Sequence, residues 1–390
     1  MTDRLDIPSG KAPWWLCPAQ VFDGTSLRAD AALRIENGSV CELAPLAAAL
    51  GSGEPVRHSE CIASPAFVDL QVNGGGGVLF NNDPTPAGIE AIARAHRIGG
   101  TGAWFPTLIT TDAVTMSRAI DAVIRTHGHH GVIGVHIEGP HISPQHRGTH
   151  AIESIRAFDG HTLALVKRLR DKGIAVILTL APECGPGETL SELVGMGVNV
   201  SIGHTSATPQ QTREALARGV NLFTHLFNGM PKFHTKDVGM TGVALDSPAW
   251  CGIIADGHHV DDLMIKLAVR AKRSPGAIFA VTDAMPTVHG PEEFNLYGAT
   301  LRVRDGKLID ARGSLAGVHI DMIGTLRRLV HNVGLSLETA LAMVTSLPAR
   351  AVGLHTEVGV IRPGMAADLL LINPATLTIR DRLSSEQGQI

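Results

Sequence analysis

At 390 residues, 44% of them hydrophobic, the chain is long enough to bury the core of a large α/β barrel and still carry a small satellite domain. A formal net charge of −4 and only 4% aromatic residues argue against nucleic-acid and membrane-surface partners, which favour basic patches and stacking platforms. The five scattered cysteines lack CxxC spacing, the start Met1-Thr2-Asp3-Arg4 has no apolar leader core, and no apolar run reaches membrane-spanning length, so a cytoplasmic protein without a disulfide framework is expected.

Residues 1–62 read as short strands punctuated by turns such as Phe22-Asp23-Gly24-Thr25 and Glu36-Asn37-Gly38-Ser39. From Pro65 onward, short apolar runs alternate with Ala-, Arg- and Leu-rich segments of helical period, the pattern of βα units on a parallel sheet. Eight such runs occur, at 66–72, 102–108, 132–137, 175–180, 199–202, 221–224, 251–255 and 277–281, and they predict a (β/α)8 TIM-like barrel over 63–351. The stretch 286–316 is irregular and contains hairpin-like Arg304-Asp305-Gly306-Lys307, and helices are expected over 322–333 and 336–345. The last segment, 352–390, holds a turn around Gly364 and a buried strand beginning near Leu369. It is expected to complete, with 1–62, a small β-sandwich domain built from both chain termini.

A barrel enzyme carries its chemistry at the C-terminal ends of its strands. Polar residues at those positions are Gln71 and Asn73 after the first run, Glu138 after the third, His204 after the fifth, His225 after the sixth, Asp256-Gly257-His258-His259 after the seventh and Asp283 after the eighth. A lone histidine at such a place is more often a hydrogen-bonded core residue, and a lone aspartate more often a helix cap. Four candidates on four strands of one barrel, Glu138, His204, His225 and Asp283, point instead to a divalent metal site. A carboxylate and two imidazoles suit zinc or a similar first-row ion and leave a coordination position open to water, while the remaining carboxylate can carry a proton. His136, two residues before Glu138, is expected to be a core or hydrogen-bonding residue. The glycine run 74–77 could bring backbone N–H groups to a ligand or form a plain turn.

On these segments the sequence resembles the N-acetylglucosamine-6-phosphate deacetylases of the amidohydrolase superfamily. The matching stretches are Pro65-Ala66-Phe67-Val68-Asp69-Leu70-Gln71-Val72-Asn73-Gly74, His136-Ile137-Glu138-Gly139-Pro140, Arg147-Gly148-Thr149-His150, Gly203-His204-Thr205, Thr224-His225-Leu226-Phe227-Asn228-Gly229, Ala255-Asp256-Gly257-His258-His259 and Val281-Thr282-Asp283-Ala284. Gly364-Met365-Ala366-Ala367-Asp368-Leu369 matches the superfamily's small-domain signature. The resemblance implies that Glu138, His204 and His225 bind the metal, that Asp283 is general base and then acid, and that His150 polarises the acetyl carbonyl. It places Asn228, the Gly229 backbone and His259 at the sugar phosphate, completed by a basic residue from a neighbouring subunit, which implies a homodimer with composite active sites. Gln71 and Asn73 stand where many amidohydrolases carry His-x-His, and are expected to lie at the substrate. A carboxamide is a poor ligand beside imidazole, so one divalent ion per subunit is expected, with zinc first and iron, cobalt or manganese as alternatives.

Two positions depart from the family. Lys236 occupies the place of its phosphate-binding arginine, and Val318 that of a usual serine. Lysine binds phosphate as a point charge without the bidentate fork. The resemblance therefore implies hydrolysis of the acetamide of N-acetyl-D-glucosamine 6-phosphate in amino-sugar catabolism. Alternatives are N-acetylgalactosamine 6-phosphate, an unphosphorylated N-acetyl sugar, an N-acyl amino acid or a cyclic amide, and more remotely a non-catalytic sugar-phosphate-binding barrel.

Overall fold

The computed structural model describes residues 12–185 and 187–384; the N-terminal tetrapeptide read above lies outside them. Eight parallel strands form one sheet in sequence order: β1 (Phe67–Val72), β2 (Thr101–Ile109), β3 (Gly134–Glu138), β4 (Ala175–Leu180), β5 (Asn199–Ile202), β6 (Leu222–Phe223), β7 (Trp250–Ile254) and β8 (Ile278–Val281). Every residue of β3, β4 and β8 is buried, as expected for parallel strands covered by helices; β8 reads as an unbroken apolar run, β4 as one interrupted only by Thr179, and β3 also buries the polar His136 and Glu138.

The intervening helices carry their own start signals. Thr85, Asp112, Asp159, Asp261, Asp321 and Ser336 each accept a hydrogen bond from the first turn of the following helix. Thr208 and Gln211 form a reciprocal capping box with Pro209 at the first helical position.

The barrel closes where its first and last strands meet. The Asp283 N–H donates to the carbonyl of Gln71 at 2.9 Å, and the Asn73 N–H to that of Ala284 at 3.0 Å. Just inside this seam, the Asp69 carboxylate accepts from the Thr282 hydroxyl at 2.5 Å and from the Gln71 N–H at 3.2 Å. The seam therefore brings Gln71 and Asn73 beside Asp283 although more than 200 residues separate them in sequence.

The chain ends share a second, mixed sheet of seven strands, in which Leu369–Ile372 pairs antiparallel with Val56–Pro65 and the latter runs parallel to Trp14–Phe22. Its core includes Trp14, Leu16, Leu33, Ile35, Leu369 and Leu371. A three-stranded antiparallel sheet, Glu293–Leu296, Ala299–Arg304 and Lys307–Ile309, follows β8, with Arg304 opposite Lys307 at the expected hairpin. Its inner residues Leu296, Leu301 and Leu308 pack on Met285, so this sheet sits beside the end of β8. No helix among the described residues is long and apolar enough to cross a membrane.

Candidate active site

Glu138 is the last residue of β3, and His204, His225 and Asp283 each lie two residues past β5, β6 and β8. The backbone turns sharply there. His204, His225 and Asp283 have φ of 47°, 27° and 51°, and Phe227 has φ of 80°. Left-handed backbone is unfavourable for residues with a Cβ, so its repetition at three strand ends marks a place where function overrides local preference. Gly229, at φ 59°, lies so close to the His204 ring that a Cβ would sit 2.9 Å from Nδ1. Glycine is the residue that fits there.

Glu138, His204 and His225 are all buried, and one donor atom from each falls within a single cluster. Oε1 of Glu138 lies 3.1 Å from Nε2 of His204 and 2.9 Å from Nε2 of His225, and the two nitrogens are 3.0 Å apart. The protonation of His204 follows from its other side. Its Nδ1 is 2.7 Å from the carbonyl oxygen of His146, which can only accept, so Nδ1 carries the hydrogen and Nε2 turns a lone pair inward.

A carboxylate oxygen and two imidazole nitrogens thus converge on one point. Burial raises the Glu138 carboxyl, but the imidazoles of His204 and His225 outweigh it and hold the group well below the usual carboxylate range. Burial likewise lowers His225, yet its bond to Glu138 carries it above the ordinary histidine value. Both shifts express one demand, for positive charge at the centre of the triad. A divalent ion about 2.1 Å from each atom, with ligands roughly 3.4 Å apart in tetrahedral geometry, meets that demand after only a small outward adjustment. The triad fits such an ion, and one carboxylate with two imidazoles is a zinc-type donor set.

The two carboxamides of β1 serve the carboxylates. Gln71 donates to Oε2 of Glu138 at 3.1 Å and to Oδ1 of Asp283 at 3.0 Å. Asn73 donates to the same Oδ1 at 2.7 Å and to the Asp283 carbonyl at 3.1 Å. Asp283 is thereby held through Oδ1, and its Oδ2 makes no hydrogen bond with any described residue. Burial, reinforced by the charge of Glu138, pushes the Asp283 carboxyl up to about 6. Of the two carboxamides, Asn73 lines the pocket and Gln71 lies behind it.

A cavity of about 310 Å³ opens in front of this group, lined by Glu138, His150, His204, His225, Asn228, Gly229, His259 and Asp283 among others. That volume is at the lower end of the ~300–1,000 Å³ usual for small-molecule sites. His150 stacks obliquely on His204, with ring centroids 4.4 Å apart. Its Nδ1 is 2.7 Å from the hydroxyl of Thr110 and 3.3 Å from the Thr110 N–H. Burial drives it down to about 3, so it is neutral in the working range. His259 is oriented from behind by Asp256, whose Oδ2 lies 2.6 Å from its Nδ1 and whose Oδ1 accepts from the His258 and His259 N–H groups at 2.9 Å. Burial raises Asp256, but those bonds prevail and hold it at about 2.

The structure thus gathers Gln71, Asn73, Glu138, His150, His204, His225, Asn228, Gly229, His259 and Asp283 at one barrel mouth. Lys236 is not among them. It lies exposed in the tight turn closed by His234 and Asp237 and takes no part in lining the cavity. His136 is buried between Thr107 and Thr179, at 3.3 and 2.7 Å, as a core histidine. Sequence reading passed over Thr110, and named Asp256 at its strand end without giving it a role. Thr110 sits one residue past β2, so the strand-end rule could have singled it out. Asp256, three residues before His259, carried the signal of an Asx-type turn.

The pattern of the amidohydrolase family (Amidohydro_1) matches residues 62–386. The chain belongs to the amidohydrolase family. Among this amidohydrolase's relatives, the N-acetylgalactosamine-6-phosphate deacetylase of Shewanella sp. (strain ANA-3) is 36% identical over 357 residues, 90% of this chain and 89% of that protein. The N-acetylglucosamine-6-phosphate deacetylase of Haemophilus influenzae is 30% identical over 79% of this chain and 81% of its own length. Of solved structures, the N-acetylglucosamine-6-phosphate deacetylase of Pasteurella multocida superposes on the amidohydrolase with a TM-score of 0.88 at 29% identity, covering 96% of this chain and 98% of that one. The Mycobacterium smegmatis deacetylase in complex with N-acetyl-D-glucosamine-6-phosphate has a TM-score of 0.87 at 25% identity, covering 96% and 98%.

Proposed function

We propose that this amidohydrolase removes the acetyl group from an N-acetylhexosamine 6-phosphate, releasing acetate and the free amino sugar phosphate. The observation that carries this reading is the single pocket that joins the Glu138, His204 and His225 cluster to the unpaired Oδ2 of Asp283. Two relatives that match most of the chain are named as deacetylases of substrates of this class.

An ion held by Glu138, His204 and His225, zinc first by its donor set, would supply Lewis acidity and make a water nucleophilic near neutral pH. Asp283 takes the proton from the attacking water through Oδ2, while Gln71 and Asn73 hold Oδ1. His150 faces the acyl oxygen and stabilises the negative charge that develops there. As the C–N bond breaks, Asp283 returns the proton to the nitrogen, and the products are acetate and an amine. His259, with Asn228 and the backbone at Gly229, is assigned to the 6-phosphate. Lys236, exposed on its turn, is assigned by the family resemblance to the phosphate of a neighbouring subunit's pocket, in a homodimer with composite sites.

Within the class, N-acetyl-D-glucosamine 6-phosphate is the substrate to which the sequence motifs lead. N-acetylgalactosamine 6-phosphate is a second reading, favoured by the higher identity to the Shewanella relative. Acetate release from both 6-phosphates, and from the same sugars without phosphate, tests the proposal. Turnover that depends on the phosphate is expected. Equal turnover of unphosphorylated sugars would move the assignment to another amide.

A further inference from the structure

The partner of His150 decides what that histidine can do, and the partner is a threonine rather than a carboxylate. We propose that Thr110 is a positioning residue that fixes His150 in the neutral tautomer with its hydrogen on Nε2, making His150 a hydrogen-bond donor to the acyl oxygen. This rests on the deacetylase reading for the identity of the acceptor, but not for the tautomer.

One atom beside His150 cannot change roles. The backbone N–H of Thr110 only donates, and it lies 3.3 Å from Nδ1 of His150. A hydrogen on Nδ1 would face that N–H directly, so Nδ1 presents its lone pair. The Thr110 hydroxyl lies 2.7 Å from the same nitrogen and 3.5 Å from the Glu138 carbonyl oxygen, and its one hydrogen goes to the nearer acceptor, Nδ1. In a neutral imidazole with Nδ1 unprotonated, the hydrogen is on Nε2. Nε2 makes no hydrogen bond with any described residue, and His150 lines the pocket.

The neighbourhood is built to keep the hydroxyl there. Gly139, at φ 78°, follows Glu138, and a Cβ at this position would collide with the Thr110 Oγ1. The His150 backbone is pinned by Arg147, whose carbonyl accepts from the His150 N–H at 3.0 Å and whose Nη1 donates to the His150 carbonyl at 3.0 Å.

His259 shows the opposite arrangement in the same pocket. Its Nδ1 faces a carboxylate oxygen of Asp256 at 2.6 Å, so it carries the hydrogen on Nδ1. A carboxylate behind an imidazole supports a positive charge, whereas two donors aimed at Nδ1 oppose one. His150 is thereby committed to donating, and proton transfer falls to Asp283.

The test compares N-acetyl with N-trifluoroacetyl hexosamine 6-phosphates, whose activated carbonyl depends less on a donor. Thr110→Val should lower kcat on the N-acetyl substrate about 10- to 100-fold with KM nearly unchanged, within the range for weakening one oxyanion donor, and should cost the N-trifluoroacetyl substrate much less. Thr110→Ser should restore both. An equal loss on the two substrates, or no rescue by serine, would overturn the proposal.

Nitrogen NMR of 15N-histidine-labelled wild-type protein is independent of substrate and of the folding of the Thr110 variants. The His150 signals, identified by their loss in His150→Asn, should report Nδ1 bare and Nε2 protonated, and the reverse pattern would overturn the assignment. If the wild type releases no acetate while the tautomer is as stated and is lost in Thr110→Val, the functional reading fails and the role of Thr110 stands.

Discussion

The side-chain nitrogen of Gln71 lies 3.0 Å from Oδ1 of Asp283, across the seam where the first and last barrel strands meet. Its second hydrogen goes to Glu138 at 3.1 Å, so one amide ties the proposed metal cluster to the proposed base. Replacing Gln71 by leucine would leave two neighbouring carboxylates without a shared donor. Both would become easier to protonate, since a hydrogen bond to the charged form is lost. Gln71→Leu should shift the acid limb of the pH–rate profile to higher pH and weaken metal affinity about 10- to 100-fold, the usual cost of a lost outer partner. Rate profiles and a competitive chelator titration measure the two effects.

Asp283 itself gives the sharpest kinetic expectation. Its carboxyl, raised to about 6 chiefly by burial and then by the Glu138 charge, must be ionised to accept a proton. kcat/KM should therefore rise with pH through about 6 and level off above it. Asp283→Asn should lower kcat by about a thousandfold or more and leave metal content unchanged, since Asp283 is not among the three converging ligands. Stopped assays of acetate release and elemental analysis read the two halves of this prediction.

Asp256 is expected to affect binding rather than chemistry. Asp256→Asn keeps an oxygen for the His258 and His259 N–H groups but removes the charge beside Nδ1 of His259. KM for the 6-phosphate substrate should rise about tenfold while kcat changes little, the loss expected when a charge-assisted bond is weakened. The check is a comparison of steady-state constants with those of the wild type.

Stability at low pH should depend on His96. It is fully buried, with Nε2 2.9 Å from the Gly74 carbonyl and no partner for Nδ1 among the described residues, and burial lowers it to about 4. For a histidine whose value falls on folding, the stabilisation is complete above the unfolded value near 6.5 and is lost as pH falls through about 4. Within that window the loss is roughly 1.4 kcal/mol per pH unit, about 3 kcal/mol in all. His96→Gln, which can still donate to Gly74, should flatten this dependence. Urea midpoints at pH 7, 5.5 and 4.5 (the conditions chosen to span the window) measure it.

Much of the barrel is legible in the sequence, because strands buried at every residue are mostly apolar: Ile278–Val281 without interruption, Ala175–Leu180 interrupted only by Thr179, and Phe67–Val72 by Asp69 and Gln71. The short strand β6 holds only Leu222 and Phe223, yet the polar Thr224-His225 after it marked its end. Of the Glu293–Ile309 sheet only the hairpin at Arg304-Asp305-Gly306-Lys307 was legible, since its strands are largely exposed and offer no apolar run. In the site, residue types at strand ends pointed to the metal cluster and to Asp283. The placement of Gln71 behind the pocket was not readable, because its amide is taken up by two carboxylates that only barrel closure brings near. The pairing of Thr110 with His150 likewise depends on how residues 139–150 fold back over β2. Lys236 is matched to a phosphate ligand only by alignment of motifs, and the single chain places it on an exposed turn.

The most direct test is a metal titration of chelator-stripped enzyme, with acetate release from N-acetylglucosamine and N-acetylgalactosamine 6-phosphates as the readout. Activity should be absent in the stripped protein, rise in proportion to added Zn²⁺ and saturate at one equivalent per subunit, and Glu138→Gln should neither retain the ion nor respond to it. Full turnover by metal-free protein, or undiminished metal binding and turnover in Glu138→Gln, would contradict a reaction centred on Glu138, His204 and His225.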